Sequence, residues 1–88
     1  MALIPNDTEK RISPEFQKRV IDLMEERDYS KKELSAIAGI SVAVISRITI
    51  YGIIPSLGIL IKLANTFDKS LLFLLAESDD PYFYKAEH

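Results

Sequence analysis

Residues 30–48, SKKELSAIAGISVAVISRI, leave this chain few ways to fold. Ser30 is a good helix N-cap. Glu33, three residues on, can reach back to the Ser30 backbone N–H, which makes a capping box. Leu34, Ile37 and Ala38 then place an apolar stripe at helical spacing. Gly39 supplies the left-handed residue that ends a helix, because glycine has no Cβ to clash there. Ile40 follows as a buried plug, and Ser41 offers a second N-cap only two residues after the glycine. Ile45 and Ile48 continue as the inner face of a second helix. A capped helix, a glycine corner and a second capped helix predict a helix-turn-helix.

The flanking segments supply more helices. Ser13-Pro14-Glu15 is a helix start, with an N-cap, a proline at the first helical position and an acid near the positive end of the dipole. Phe16, Val20, Leu23, Met24 and Arg27 recur at i, i+4, i+7, i+8 and i+11, so the first helix runs to about Arg27 with Phe16 to Met24 inward. Ile50 to Pro55 reads as a loop, in which the proline holds Ile54 extended. Ser56 caps a fourth helix striped by Leu57, Leu60, Ile61, Ala64 and Phe67. Asp68-Lys69 breaks it, and Ser70 caps a short fifth helix carrying Leu71, Leu74 and Leu75. With no strand pattern, the expected fold is all-α: a compact five-helix domain over residues 13–76. Residues 1–12 read as a flexible N-terminal arm whose Lys10 and Arg11 can brush a phosphate, and residues 77–88 as an acidic and aromatic C-terminal tail.

Composition bounds the function. Eighty-eight residues, 48% hydrophobic, allow one small domain with a modest core. There is no cysteine for a disulfide or a thiolate metal site, and the single histidine, His88, is the last residue. No apolar run approaches the roughly 20 residues that span a bilayer, and no signal-peptide pattern opens the chain. A cytoplasmic protein without membrane contact is expected. With no histidine inside the domain, no cysteine nucleophile and no glycine-rich phosphate loop, nothing suggests an enzyme, and no cofactor or metal is implied. Asp79-Asp80 reads as a solvated pair on the tail. The net charge of −2 is unusual for a nucleic-acid binder, but Glu77, Asp79, Asp80 and Glu87 against Lys85 give the tail −3, which leaves residues 1–76 at +1. A nearly neutral domain can still bind DNA, with strong salt dependence.

Taken together, Ser30 to Leu34, Gly39-Ile40-Ser41, Ile45-Ser46-Arg47-Ile48, Pro55-Ser56-Leu57 through Leu60-Ile61-Lys62-Leu63-Ala64, and the closing Ser70-Leu71 to Leu74-Leu75 resemble the phage-repressor-like (Cro/repressor, Xre-type) helix-turn-helix DNA-binding domains. The resemblance covers roughly residues 13–76. It implies a sequence-specific regulator of transcription on double-stranded DNA, a dimeric repressor with residues 41–49 as the recognition helix. The major groove, about 12 Å wide, admits one such helix. Carried onto this chain, the base-reading positions are Ser41, Val42, Ala43, Ser46 and Arg47. Arg47 can bond guanine O6 and N7 together, whereas Val42 and Ala43 suit thymine methyl groups. Ser30, Lys31, Lys32 and Ser56, at helix N-termini, suit phosphate oxygens.

The chain departs from the family pattern in two places. Many members carry a buried arginine–glutamate pair, and its positions here hold Met24 and Thr49. Both partners are missing together, so no lone charge is stranded. The loop after the recognition helix is often basic in the family, with its glycine where Tyr51 stands. Here it reads IYGIIP, with Gly52 one place late. Contiguous apolar surface of that kind marks interfaces. A two-fold homodimer through Ile53, Ile54, Leu72, Phe73 and the tail aromatics Tyr82, Phe83 and Tyr84 is therefore expected, in keeping with family dimers that set recognition helices about 34 Å apart. Two other readings stay open. One is a helix-turn-helix module repurposed for protein–protein interaction through Val42, Val44, Ile50, Tyr51 and Ile54. The other is the antitoxin of a toxin–antitoxin pair, holding its protein partner through the C-terminal tail.

Overall fold

A serine starts every helix in the structure, a computed structural model that describes residues 11–75. The helices are α1 (Pro14–Arg27), α2 (Lys31–Ala38), α3 (Val42–Tyr51), α4 (Leu57–Phe67) and α5 (Leu71–Leu74). Their caps are Ser13, Ser30, Ser41, Ser56 and Ser70. Each side-chain oxygen accepts from the backbone N–H three residues on, over 3.0–3.4 Å. One otherwise orphaned donor per helix is satisfied in this way. At Ser30 the reciprocal bond from the Ser30 N–H to Glu33 Oε1, 2.8 Å, completes the capping box. The first four helices end on a left-handed residue, Asp28, Gly39, Gly52 and Asp68 in turn.

The core is one cluster drawn from all five helices and the turn. Phe16, Val20, Leu23 and Met24 come from α1, Leu34 from α2, Ile40 from the turn, Ile45 and Ile48 from α3, Leu60, Leu63, Ala64 and Phe67 from α4, and Leu74 from α5. The helical periodicity is as expected for α1 and α3. Elsewhere three residues of the expected stripes lie outside the core. Ile37, Leu57 and Ile61 are all exposed, and Leu63 is fully buried in their stead. The α4 stripe is centred on Leu60, Leu63 and Phe67, which rotates Leu57 and Ile61 outward. In α2, Leu34 and Ala38 turn inward, leaving Ile37 on a flank that no described element covers.

Helix α3 is longer than expected. Ile50 and Tyr51 form its last turn rather than a loop, because the terminating residue is Gly52. Its N–H bonds the Ile48 carbonyl over 2.9 Å, and the Ile53 N–H bonds the Arg47 carbonyl over 3.2 Å. Together these bonds take up carbonyls near the end of the helix as the chain turns at the left-handed glycine. The glycine one place late is simply the cap of a helix one residue longer.

The described part of the expected arm, Arg11 and Ile12, is not loose. Ile12 pairs antiparallel with Ile53. The Ser13 N–H donates to the Gly52 carbonyl over 2.9 Å, and the Ile54 N–H to the Arg11 carbonyl over 2.7 Å. Arg11 is therefore tied to the far end of α3. Residues 1–10 and the tail from residue 76 lie outside the described residues.

Candidate nucleic-acid interface

Ile45 and Ile48 set the rotation of α3. With both buried against α1 and α2, the opposite face of the helix, made by Ala43, Ser46, Arg47 and Ile50, is turned away from the core. Ser41, Val42, Ala43 and Arg47 are exposed, and Ser46 is half-buried. The five expected base readers therefore lie along one side and the first turn of the same helix. Val44 and Ile54, which the protein-interaction reading needs in an exposed contact patch, instead pack against the core, while Val42, Ile50 and Tyr51 remain exposed.

The expected phosphate contacts divide. Ser30 and Ser56 are exposed caps whose oxygens accept from the backbone, which leaves each hydroxyl hydrogen available to donate. Lys32 is exposed. Lys31 is half-buried, and its Nζ lies 3.4 Å from Ser46 Oγ, bridging the start of α2 to the outer face of α3. A groove of about 350 Å³ runs beside α3, lined by Val44, Arg47, Ile53, Ile54, Pro55, Ser56 and Ile59. It brings Arg47 and Ser56 to the same cleft.

Charge is unevenly distributed. Between Tyr29 and Phe67 stand Lys31, Lys32, Arg47 and Lys62 against Glu33 alone, whereas α1 and its cap carry Glu15, Asp22, Glu25, Glu26 and Asp28 against Lys18, Arg19 and Arg27. Most of the cations are engaged. Lys18 pairs with Asp22 over 2.9 Å, Arg27 donates to the Phe67 carbonyl over 2.7 Å, and Lys62 reaches the Gly39 carbonyl over 3.2 Å. Arg11, Lys32 and Arg47 make no side-chain hydrogen bond, ion pair or ring contact with another described residue. In this geometry Arg47 is a two-pronged donor on the outward face of an exposed helix, with apolar neighbours on either side.

The residues expected at a dimer interface sit elsewhere. Ile53 is half-buried in its pairing with Ile12, and Leu72 is half-buried on α5. Phe73 is half-buried, with the Arg19 guanidinium 4.2 Å from its ring centre and Lys69 Nζ at 5.7 Å. It lines a groove of about 520 Å³ along α1 with Leu23, Lys18 and Glu26. Tyr82, Phe83 and Tyr84 lie outside the described residues. Ile50 is an outward residue of α3 that the sequence pattern alone puts in a loop. The signal for it is Gly52, since a glycine cap at 52 extends the helix through 51.

No helix among the described residues is long and apolar enough to cross a membrane. Comparison with known families gives a match to helix-turn-helix over residues 20–74. Neither the curated proteins nor the solved structures searched gave a match. The matched segment runs from within α1 to the last residue of α5, more than half of the chain, and takes in both helices of the motif and the turn between them. The chain therefore belongs to the helix-turn-helix family of Cro/repressor (Xre-like) type, whose members are DNA-binding regulatory domains.

Proposed function

We propose that this protein is a sequence-specific regulator of transcription that lays α3 in the major groove and represses by occupying its operator. The observation that carries the reading is Arg47, which is exposed on the outward face of α3 and engaged by no other described side chain. A fork of donors held there suits guanine O6 and N7. Ala43, Val42 and Ile50 beside it carry no donors, and such side chains suit thymine methyl groups. The excess of lysine and arginine between Tyr29 and Phe67 supports approach to a polyanion, with Ser30, Lys32 and Ser56 as phosphate partners. Lys31, tied to Ser46, braces the reading face and keeps two further ammonium donors for a phosphate. Dimerisation through Leu72 and the α5 surface would set two copies of α3 on half-sites about one turn, 34 Å, apart. Such a role places the protein in the cytoplasm with the DNA.

The test is selection from a randomised duplex library at moderate salt, with wild type and Arg47→Ala in parallel. An enriched two-fold-symmetric motif that relaxes at one base pair in the variant supports the reading. Enrichment of nothing by the wild type overturns it. A second reading rests on a specific observation: Val42, Ile50 and Tyr51 leave exposed apolar surface on the same helix. Such surface suits a protein partner, and in that case wild type and Arg47→Ala would be equally indifferent to DNA.

A further inference from the structure

The last turn of α3 and the turn that follows it, Ile50 to Pro55, carry no charged residue, so that stretch of sequence offers a phosphate no cation on the C-terminal side of the helix. The backbone brings a cation there from the other end of the chain. Arg11 is joined to Ile54 through the 2.7 Å bond to its own carbonyl, and this bond with the Ser13–Gly52 bond makes the Ile12–Ile53 bridge that fixes its register. Ile53 and Ile54 line the groove that also holds Arg47 and Ser56. Arg11 itself is exposed, and no described side chain engages its guanidinium.

We propose that Arg11 is a DNA phosphate contact, supplying across the Ile12–Ile53 bridge the positive charge that the apolar turn lacks. The proposal rests on the DNA-binding reading above. Its ligand is the phosphodiester backbone of a duplex, met without regard to sequence. The two backbone bonds that make up the Ile12–Ile53 bridge make this a defined position rather than the sweep of a loose arm, because the bonds that place Arg11 do not depend on its side chain. Removing the guanidinium therefore leaves the scaffold in place. Base selection should be untouched, since Arg11 is anchored beyond the last turn of α3 and not on its outward face.

The experiment measures duplex affinity over a salt series for wild type, Arg11→Ala, Arg11→Lys and Arg47→Ala, on the selected operator and on an unrelated duplex. Thermal unfolding by circular dichroism runs alongside. For Arg11→Ala, the slope of log affinity against log salt is expected to fall by about one, with a loss of about fivefold to tenfold near 0.1 M salt on both duplexes. Arg11→Lys should keep most of the affinity, and the melting temperature should not move. Arg47→Ala should instead narrow the gap between operator and unrelated duplex. Wild-type binding with an unchanged slope and affinity in Arg11→Ala overturns the proposal and leaves the DNA-binding reading standing. A changed base preference in Arg11→Ala also overturns it, because a phosphate contact carries no sequence information. If wild type binds no duplex at any salt, both readings fall together.

Discussion

The Gln17 side-chain amide donates to the Thr49 carbonyl over 2.9 Å, joining the second turn of α1 to the last turn of α3. The Thr49 carbonyl is one of the last four in its helix, and its usual partner, the Ile53 N–H, is bonded to Arg47 instead. Gln17 therefore satisfies an orphan and pins the reading helix at once. The Thr49 hydroxyl bonds back to the Ile45 carbonyl over 3.0 Å, and Met24 fills the α1 side of the core. Uncharged groups thus occupy the places where relatives of this family keep a buried ion pair.

Gln17→Ala removes that donor and leaves a part-buried carbonyl without its partner. The expected cost is about 1–2 kcal/mol, read as a lower midpoint in urea with an unchanged slope. Gln17→Glu should cost at least as much, because an ionised carboxylate cannot donate to the carbonyl. Equal stability of all three proteins would show that the bond contributes nothing.

Gly39 and Gly52 separate two reasons for needing glycine. Both have positive φ, +72° and +71°. A Cβ at Gly39 would meet nothing within 4 Å, whereas one at Gly52 would lie 3.2 Å from Gln17 Oε1 and 3.3 Å from the Ser13 carbonyl oxygen. Gly39→Ala should cost about 1 kcal/mol, the left-handed conformation alone. Gly52→Ala should cost roughly 2–3 kcal/mol, because it also crowds the backbone bridge. Paired thermal melts read the difference, and equal melting temperatures would refute the crowding argument.

Much of this fold is legible in the residues. Five serines at the right places announce five helix starts, and Ile45 with Ile48 decides which way Arg47 faces. The departures have definite causes. A short apolar stripe does not say which of two adjacent facets is buried, so the pattern puts Ile37, Leu57 and Ile61 inside although α2 and α4 turn them out. The IYGIIP run reads as a loop from Ile50 onward, whereas the stop signal of this chain is Gly52 and the helix continues through Tyr51. The bonding of Arg11 and Ser13 to the turn after α3 leaves no mark in the sequence at all. Those bonds are made by main-chain groups about forty residues apart, and no side chain advertises them. The pairing of Lys31 with Ser46 is hidden for a similar reason, since it depends on the crossing of α2 and α3.

Asp28 is a place where stability is left unused. It sits at φ +58° at the C-terminal end of α1, where both the backbone conformation and the dipole disfavour it. Glu25 and Glu26 lie in the turn before. Asp28→Gly should relieve the conformation and the like charges together, and Asp28→Asn mainly the charges. Gains of about 0.5–1 kcal/mol are expected for each, with the Asn gain shrinking in 1 M salt as the charge part is screened. A melting temperature that does not rise for either variant would show that the αL aspartate is satisfied where it stands.

Ile50 offers the sharpest check on how the proposed reading face works. It is 56% exposed, on the side of α3 shared with Ala43 and Ser46, and its side chain has no group that can donate or accept. Its one route to base discrimination is apolar contact with the thymine C5-methyl. The test is a selected operator synthesised with deoxyuridine in place of thymidine, which deletes those methyls and leaves every hydrogen-bonding edge intact. Wild type should bind the uracil duplex several-fold more weakly, a difference of the order of 1 kcal/mol for methyl groups no longer buried. Ile50→Ala should have a lower affinity for the thymine duplex and be less sensitive to the exchange. If Ile50→Ala is as sensitive as wild type, the methyl contacts belong to Val42 and Ala43 alone. The exposed pair Ile50 and Tyr51 would then have to be explained by contact with protein rather than with bases.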